Sequence, residues 1–315
     1  MFPGDLQLYG PEALGPKPPS LAASRRYCRR LARRHYENFT VASWLLPRRL
    51  RRHFFHVYAY CRWADDLADE TGRPDPAAAD HSHAAPALLD WWEGELRACY
   101  RGEARHLVFV ALGETIRQFD IPAEPFLDLL VAFRQDQRIR RYADFEQLLD
   151  YCRYSANPVG RLILYLGRCH TAERVALSDS ICTGLQLANF CQDVARDLDR
   201  GRIYLPEADC LRFGCDEAML ARRQFTEPLG RLLAAEVTRA EEFLRRGLPL
   251  VELVLPELRL DVALFAHGGL AILRAIRRQN YDVWSSRPVL SKLEKLRLLA
   301  RCWWRLRRGT PAREP

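Results

Sequence analysis

The feature that most restricts how this chain can fold is a row of polar side chains at helical spacing in residues 186–206, QLANFCQDVARDLDRGRIYLP. Asn189, Asp193 and Asp197 recur every four residues, and side chains at this spacing lie on one face of an α-helix. Neighbouring carboxylates repel one another, and burying them is costly unless a cation, a proton or a basic side chain compensates their charge. A row of this kind that faces the core predicts a hard metal ion such as Mg²⁺.

A solvated helix face with nearby arginines as partners would explain a single acidic row. A second acidic segment upstream, YCRWADDLADE, favours a function instead, because Asp65 and Asp69 form one four-residue row and Asp66 and Glu70 form the next. Like charges at this spacing cost an isolated helix roughly 0.2–0.5 kcal/mol per pair, and a surface helix gains nothing from them. Two facing helices of this kind can hold several Mg²⁺ ions, which bridge to a diphosphate and neutralise its charge as it leaves.

Four blocks of the sequence resemble the head-to-head prenyl synthases, the family that includes squalene, dehydrosqualene and phytoene synthases. The blocks are HYENFTVASWLLP at 35–47, CRWADDLADE at 61–70, YCRYSANPVG at 151–160 and LQLANFCQDVARDLDRGRIYLP at 185–206. They follow one another in the family's order, and the resemblance that they carry spans most of the chain from about Ser24 to Leu290. Within the family, the hydroxysqualene synthases are the most similar group, since they share Ala156-Asn157 where the family more usually has Ala-Gly.

The resemblance implies three groups of site residues. The residues expected to ligate two to three Mg²⁺ ions are Asp65, Asp66, Asp69, Asn189, Asp193 and Asp197. The residues expected to bind the substrate are Arg62, Gln186, Asn189, Asn157, Ser43, Arg202, Tyr204 and Arg287. The residues expected to be catalytic are Tyr151, Asp65, Asp69, Asp193 and Asp197. Arg287 lies within one residue of the position at which relatives carry a diphosphate-binding arginine.

Several of these assignments have a purely structural alternative. Residues 35–47, which include Ser43, resemble the family's flap over the diphosphate, but an ordinary helix-capping turn explains them equally well. Arg62 either forms a salt bridge with the acids one turn later or binds the diphosphate. It can also do both, first one and then the other, as substrate enters. Tyr151 matches the family's active-site tyrosine, whereas the residues alone would favour a core tyrosine with a satisfied hydroxyl.

The predicted fold class is all-α, because no strand alternation persists in the sequence and no glycine-rich phosphate loop follows a strand. The resemblance refines this to a single-domain isoprenoid-synthase helical bundle around a deep apolar cavity, with the two Asp-rich helices across its mouth. Five prolines and little periodicity in residues 1–20 indicate a disordered or extended lead-in. The synthase domain is predicted over residues 21–308 and a tail over 309–315.

The expected reaction is the Mg²⁺-dependent ionisation of presqualene diphosphate and capture of the carbocation by water, which gives hydroxysqualene and pyrophosphate in squalene and hopanoid biosynthesis. No nicotinamide-binding fingerprint is recognisable, so no NADPH is expected. One alternative is head-to-head condensation of farnesyl or geranylgeranyl diphosphate to presqualene diphosphate, squalene or phytoene. An alternative of another class is a catalytically inactive scaffold protein of the same fold, which would have no need to retain the mutually repelling acids.

The net charge of +8 and the pI near 9.1 would suit a nucleic-acid binder, but no DNA- or RNA-binding motif accompanies them, so no nucleic acid partner is expected. Isoprenoid diphosphate and membrane lipid explain the charge equally well. The predicted helix over 290–308 combines leucines, Trp303 and Trp304 with seven basic residues. This composition suits peripheral contact with a membrane, or core packing with a solvated basic face. Neighbouring squalene-pathway enzymes are further candidate partners.

The predicted location is the cytoplasm, with peripheral contact to the cytoplasmic membrane face as an additional expectation. Ten cysteines are scattered without a Cys-x-x-Cys motif, and no secretory signal opens the chain, which is typical of a reducing compartment. No apolar run approaches the roughly 18 residues that a membrane span requires.

Overall fold

The computed structural model describes residues 4–35, 47–70 and 84–308, apart from the side chains of His35, Asp69, Glu70 and Ala84. Of the described residues, 73% are helical and none lies in a strand; one isolated bridge links Arg141 to Ile203. The predicted all-α fold is therefore confirmed. The chain forms two compact units, Met1–Arg138 and Ile139–Pro315. The single domain over residues 21–308 and its apolar cavity stay predictions, and the predicted tail lies outside the described residues.

The first unit consists of six described helices around an aromatic core. They are α1 (Asp5–Tyr9), α2 (Leu21–His35), α3 (Arg48–Glu70), α4 (Ala84–Tyr100), α5 (Leu107–Phe119) and α6 (Glu124–Gln135). Local sequence sets several of their ends: the His106 side chain accepts the Val108 N–H at the start of α5, and Asp120 ends that helix in the left-handed conformation (φ 51°).

Helix α3 carries the acidic segment YCRWADDLADE, and the packing of its apolar side fixes its orientation. The Trp63 indole stacks on Trp92 with ring centroids 5.3 Å apart and planes 9° apart. The Tyr60 hydroxyl donates to the Phe126 carbonyl at 2.8 Å. Tyr60, Trp63 and Trp92 are all fully buried. The burial of this face fixes which face of α3 carries the acids, because residues three to four apart share a face.

The lead-in differs from the sequence prediction of a disordered or extended segment at Asp5–Tyr9, which form the short helix α1. Asp5 is 5% exposed, and its carboxylate accepts the Tyr27 hydroxyl at 2.6 Å. The Tyr27 hydroxyl in turn accepts the Trp63 N–H at 2.8 Å. One buried carboxylate with its own donor therefore attaches this segment to the first unit, an effect that hydrophobic periodicity does not reveal.

The second unit contains ten described helices. They are α7 (Phe145–Ser155), α8 (Asn157–Leu166), α9 (Ala172–Gln192), α10 (Val194–Asp199), α11 (Glu207–Phe213), α12 (Glu217–Ala221), α13 (Glu227–Gly247), α14 (Leu250–Leu253), α15 (Arg259–Arg278) and α16 (Lys292–Arg307). Among the described helices, none is both long enough and apolar enough to cross a membrane.

Helix α9 is the centre of the second unit and touches its neighbours at glycines. A Cβ atom at Gly184 would lie 2.8 Å from the Leu244 side chain of α13, and one at Gly160 of α8 would lie 2.3 Å from Ser178 Oγ of α9. These contacts leave no room for side chains. The close packing fixes α9, in which the row of Asn189, Asp193 and Asp197 begins, between α8 and α13.

All ten cysteines are free thiols, and eight of them are buried. Burial raises the pKa of the Cys152 thiol to about 12, so this group stays protonated at neutral pH. The prediction that most cysteines are small core residues is confirmed.

Candidate active site

The row of Asn189, Asp193 and Asp197 spans the junction between α9 and α10. The helix is interrupted at Asp193, yet the Asp193 N–H donates to the Asn189 carbonyl at 2.8 Å and the Asp197 N–H donates to the Asp193 carbonyl at 2.9 Å. The four-residue register therefore continues through the interruption. Asn189 is exposed, whereas Asp193 and Asp197 are half-buried. The row is thus accessible to a ligand.

Arg287 holds Asp193 in a two-point ion pair, although the two residues are 94 positions apart. Arg287 Nη2 lies 2.9 Å from Asp193 Oδ2, and Arg287 Nε donates to Asp193 Oδ1. The hydrogen bonds to Asp193 raise the pKa of Arg287, with a further contribution from the charge of Asp197. A bidentate guanidinium–carboxylate pair is among the stronger protein ion pairs. The carboxylate of Asp193 is therefore neutralised by a cation that the protein itself supplies.

The turn after α15 brings Arg287 to this position. Asn280 and Tyr281 adopt left-handed backbone conformations, with φ values of 49° and 63°. The Asp282 side chain accepts the Trp284 and Ser285 N–H groups, each at 3.1 Å. Gln192, the last residue of α9, donates its side-chain N–H to the Pro288 carbonyl. The residue after Arg287 is thus bound directly to the last residue of α9, which precedes Asp193.

An aromatic cluster lies beside the row. Phe190 of α9 stacks on Tyr204 with ring centroids 4.0 Å apart and planes 8° apart. Tyr151 of α7 lies 5.7 Å from Tyr204 and 6.2 Å from Phe190, between ring centroids. Tyr142 adds a fourth ring, stacked on Tyr204 at 5.6 Å. All four rings are buried. Because the faces of aromatic rings attract cations, a cluster of this kind suits the stabilisation of a carbocation.

The segment after α10, which contains Arg202 and Ile203, is held by backbone hydrogen bonds next to Asp197. The Arg202 N–H donates to the Asp197 carbonyl at 2.8 Å, and the Ile203 N–H donates to the Arg140 carbonyl at 2.9 Å. A narrow cleft brings together three predicted site residues, Asp197, Arg202 and Tyr204. The other residues that line it are Phe190, Val194, Leu198, Ile203, Leu205, Leu220 and Trp284.

Asn157, the residue that distinguishes this chain from the more usual family pattern, is 7% exposed at the start of α8. Its side-chain oxygen accepts the Thr183 hydroxyl of α9 at 3.0 Å. An amide oxygen has two lone pairs, so this bond fixes the side chain and leaves acceptor capacity for one water proton. Gln186 lies half-buried on α9, one turn before Asn189.

Sequence reasoning did not single out Phe190, Thr183 or Trp284. Phe190 lies directly after Asn189, and its apolar character alone pointed to the core. Thr183 is one turn before the motif on the same helix, and only the fold shows that its hydroxyl is buried beside α8. Trp284 Nε1 is buried without a hydrogen-bond partner in the described part of the chain. Only the folded turn brings this indole to the cleft.

In the first unit, Arg62 binds both acids that follow it on α3. Its guanidinium donates to both carboxylate oxygens of Asp66, with Nε 3.0 Å from Oδ2, and Nη1 lies 3.3 Å from Asp65 Oδ2. The Asp66 side chain is 2% exposed, and the Asp65 side chain is 46% exposed. The side chains of Asp69 and Glu70, and the whole flap with Ser43, lie outside the described residues. The salt-bridge alternative for Arg62 is thus present in this state.

The described residues contain no group of three or more His, Cys, Asp or Glu side chains arranged to hold a metal ion. Arg62 and Arg287 each pair with an acid that the sequence predicts as a metal ligand, Asp66 and Asp193 respectively. The donor set still suits Mg²⁺, which prefers a few carboxylate and amide oxygens and keeps several waters. The metal ligands stay a prediction.

Comparisons with known proteins agree on one family. The sequence model of the family described as Squalene/phytoene synthase matches residues 32–294. The chain is 33% identical over 266 residues to the hydroxysqualene synthase of Sinorhizobium fredii (strain NBRC 101917 / NGR234). That alignment covers 82% of this chain and 85% of the relative. The chain is also 28% identical over 291 residues to the chloroplastic phytoene synthase 3 of Zea mays. That alignment covers 90% of this chain but only 66% of the maize protein.

Among solved structures, the squalene synthase HpnC from Alicyclobacillus acidocaldarius superposes with a TM-score of 0.77 at 47% identity. That match covers 85% of this chain and 98% of the crystallised one.

Proposed function

The chain belongs to the squalene/phytoene synthase family, as its four sequence blocks predict, and we propose that it converts presqualene diphosphate and water to hydroxysqualene and pyrophosphate. The family consists of isoprenoid synthases that bind isoprenoid diphosphates, so the chain is an enzyme of this class. One observation carries the finer assignment. Identity is 33% to a hydroxysqualene synthase, against 28% to the plant phytoene synthase, and the 47% identity to a squalene synthase supports the squalene side of the family over the phytoene side.

The diphosphate end of the reaction is assigned to the two acidic rows. The metal ligands in this proposal are Asp65, Asp66, Asp69, Asn189, Asp193 and Asp197. Bound Mg²⁺ would supply Lewis acidity to the diphosphate oxygens, so that the carbon–oxygen bond breaks and pyrophosphate leaves with its electron pair. Half-buried Asp193 and Asp197 and exposed Asn189 support this assignment, because their oxygens can be reached by a ligand.

Arg287 and Arg62 exchange partners in this proposal. Without substrate, each guanidinium neutralises a carboxylate, Asp193 and Asp66 respectively. A diphosphate offers more oxygens and more charge than one carboxylate, so the arginines can transfer to it and release the acids for metal binding. Arg202, which shares a cleft with Asp197 and Tyr204, is proposed as a further contact to the diphosphate.

The carbocation end is assigned to the aromatic cluster and to Asn157. The ring centroids of Tyr151, Phe190 and Tyr204 lie within 6.2 Å of one another, and an aromatic cluster of this kind stabilises positive charge without reacting with it. After rearrangement, one water oxygen forms the new carbon–oxygen bond and loses a proton to pyrophosphate or to solvent. Asn157, held by Thr183, is proposed to accept a hydrogen bond from that water and so to orient it. Tyr151 is proposed to orient the same water or to return a proton to pyrophosphate.

The test is a set of parallel incubations of the purified chain with presqualene diphosphate, farnesyl diphosphate and geranylgeranyl diphosphate, each with and without Mg²⁺. Mass spectrometry of the extracted lipids then identifies the products. Hydroxysqualene from presqualene diphosphate, only when Mg²⁺ is added, is the expected result. A C30 or C40 product from farnesyl or geranylgeranyl diphosphate would make the chain a condensing synthase, and no turnover of any substrate would favour an inactive scaffold.

A further inference from the structure

The outward face of α16 carries a stripe of apolar side chains that the rest of the described chain leaves uncovered. The exposed fractions are 54% for Leu293, 61% for Leu296, 44% for Trp303 and 52% for Trp304. With exposed Ala300, these residues follow a spacing of three, four, three and one, which places them on one side of the helix over about three turns. We refer to Leu293, Leu296, Ala300, Trp303 and Trp304 as the outer stripe.

The opposite side of α16 is docked, so the orientation of the outer stripe is fixed. Cys302 is 3% exposed, and α16 packs against α15. The Arg278 guanidinium of α15 lies 2.8 Å from the Glu294 carboxylate of α16. Ser291 and Glu294 form a capping box that fixes the start of the helix. The helix thus already has its core-facing side, and core packing does not account for the outer stripe.

The outer stripe is surrounded by positive charge. The basic residues of this helix and its C-cap are Lys292, Lys295, Arg297, Arg301, Arg305, Arg307 and Arg308, and the single acid, Glu294, is paired with Arg278. The guanidinium of Arg307 lies 4.1 Å above the Trp303 ring, and that of Arg308 lies 3.4 Å above the Trp304 ring. Long basic side chains beside exposed tryptophans are typical of a surface that enters the headgroup layer of a membrane.

We infer that the outer stripe and its basic border are a docking surface for a bilayer that contains anionic phospholipid. The aliphatic and indole side chains match the boundary between headgroups and acyl chains, and the basic border matches the anionic headgroups. A second copy of this chain fits less well, because its outer stripe would bring an equally basic border against the first. A nucleic acid would use the charge but leave the exposed leucines in contact with water. This inference does not depend on the proposed reaction.

The first test is co-sedimentation of the full-length protein with vesicles of pure phosphatidylcholine, and with vesicles containing phosphatidylglycerol. We expect binding to the anionic vesicles, weakened at high salt, and at least tenfold weaker binding for W303A/W304A. The charge-reversal pair R297E/R301E should lose binding, whereas R212E/R222E, which changes the net charge equally on exposed arginines elsewhere, should keep it. Equal binding by the wild type and both α16 variants would overturn the inference.

A second measurement separates local contact from loss of folding. Brominated lipid should quench the tryptophan fluorescence of the wild type on anionic vesicles, and W303F/W304F should bind almost as well but lose most of that quenching. Unchanged quenching would place the contact at another tryptophan and overturn the proposal. Light scattering in the absence of lipid tests the other occupants: a dimer that W303A/W304A converts to a monomer would assign the outer stripe to a second copy instead.

Discussion

Arg287 holds both carboxylate oxygens of Asp193, the acid at the centre of the row on α9 and α10. The same carboxylate is a proposed Mg²⁺ ligand, so the arginine and the metal compete for it in the absence of diphosphate. Once diphosphate is present, Arg287 has another anionic partner. Arg287 is therefore expected to weaken metal binding without diphosphate and to strengthen it with diphosphate.

Arg287→Ala should strengthen binding of metal alone and weaken binding of metal with diphosphate. We expect roughly tenfold tighter Mn²⁺ binding without pyrophosphate, because one competing charge-assisted pair worth about 1.4 kcal/mol is removed. Electron paramagnetic resonance of Mn²⁺, with and without pyrophosphate, measures both affinities. Arg196→Ala is the matched control, since Arg196 lies 3.9 Å from Asp193 with a 65% exposed side chain and should change either affinity little. Weaker Mn²⁺ binding by Arg287→Ala in both conditions would contradict the exchange.

Asp193→Asn should leave the helical content unchanged and lower turnover of presqualene diphosphate by roughly 10²–10⁴-fold, since a charged metal ligand becomes a neutral one. Circular dichroism checks folding, and product formation at saturating Mg²⁺ measures turnover. Asp199→Asn on the same short helix is the control, because Asp199 is exposed and pairs with Arg223 away from the row. Turnover by Asp193→Asn within a factor of two of wild type would rule out the metal-ligand role.

Thr183→Val should impair the water-capture step more than the ionisation step. The substitution keeps the side-chain shape but removes the hydroxyl that Asn157 accepts at 3.0 Å, at a cost of about 1 kcal/mol in stability. We expect pyrophosphate release to persist while hydroxysqualene falls as a share of the lipid products, as measured by mass spectrometry. Asn157→Ala should give the same shift, and the double variant should add little to it, because the two residues act as one unit. Additive losses would show that they act separately.

Asp261→Asn should stabilise the protein at alkaline pH and have little effect at acid pH. Asp261 is 3% exposed, and neither carboxylate oxygen has a hydrogen-bond partner in the described part of the chain. Burial raises the pKa of its carboxyl to about 7 from 3.8. The folded state then binds the proton more tightly than the unfolded state, so the stabilising contribution is present below pH 3.8 and is lost as pH rises through about 7.

The measurement for Asp261→Asn is urea unfolding of both proteins at pH 5 and pH 9. The difference in unfolding free energy, variant minus wild type, should increase by roughly 1–3 kcal/mol between the two pH values. Comparing the variant with wild type at each pH cancels the contributions of the other titrating groups. A difference that is constant with pH would mean that Asp261 does not titrate in this interval.

Features that depend on short sequence intervals could be predicted. The all-α class follows from periodicity, and the register of Asn189, Asp193 and Asp197 follows from four-residue spacing, which survives even the helix interruption at Asp193. The four blocks were sufficient to identify the family. Each of these inferences uses residues within a few helical turns of one another, where spacing determines geometry.

Features that depend on distant contacts could not be predicted. The pairing of Arg287 with Asp193 joins positions 94 residues apart through a turn with two left-handed residues, and sequence defined that arginine only to within one position. The exposure of the acidic row could not be read from sequence either, because it depends on which other elements cover it. The small helix at Asp5–Tyr9 is attached by a hydrogen bond from Tyr27 to Asp5 and by the packing of Tyr9 on Tyr27, contacts that leave no periodic pattern in the sequence.

The interruption of the helix at Asp193 has a consequence for how mutations there would act. Asp193 joins α9 to α10 with backbone angles of φ −107° and ψ 16°. Beyond it the Arg202 N–H donates to the Asp197 carbonyl, and Tyr204 stacks on Phe190 of α9. The residue whose carboxylate Arg287 holds is therefore also the junction between the helix that carries Phe190 and the segment that leads to Tyr204. The acidic row and the aromatic cluster thus share one stretch of backbone, and a substitution that alters the backbone at Asp193 should disturb both.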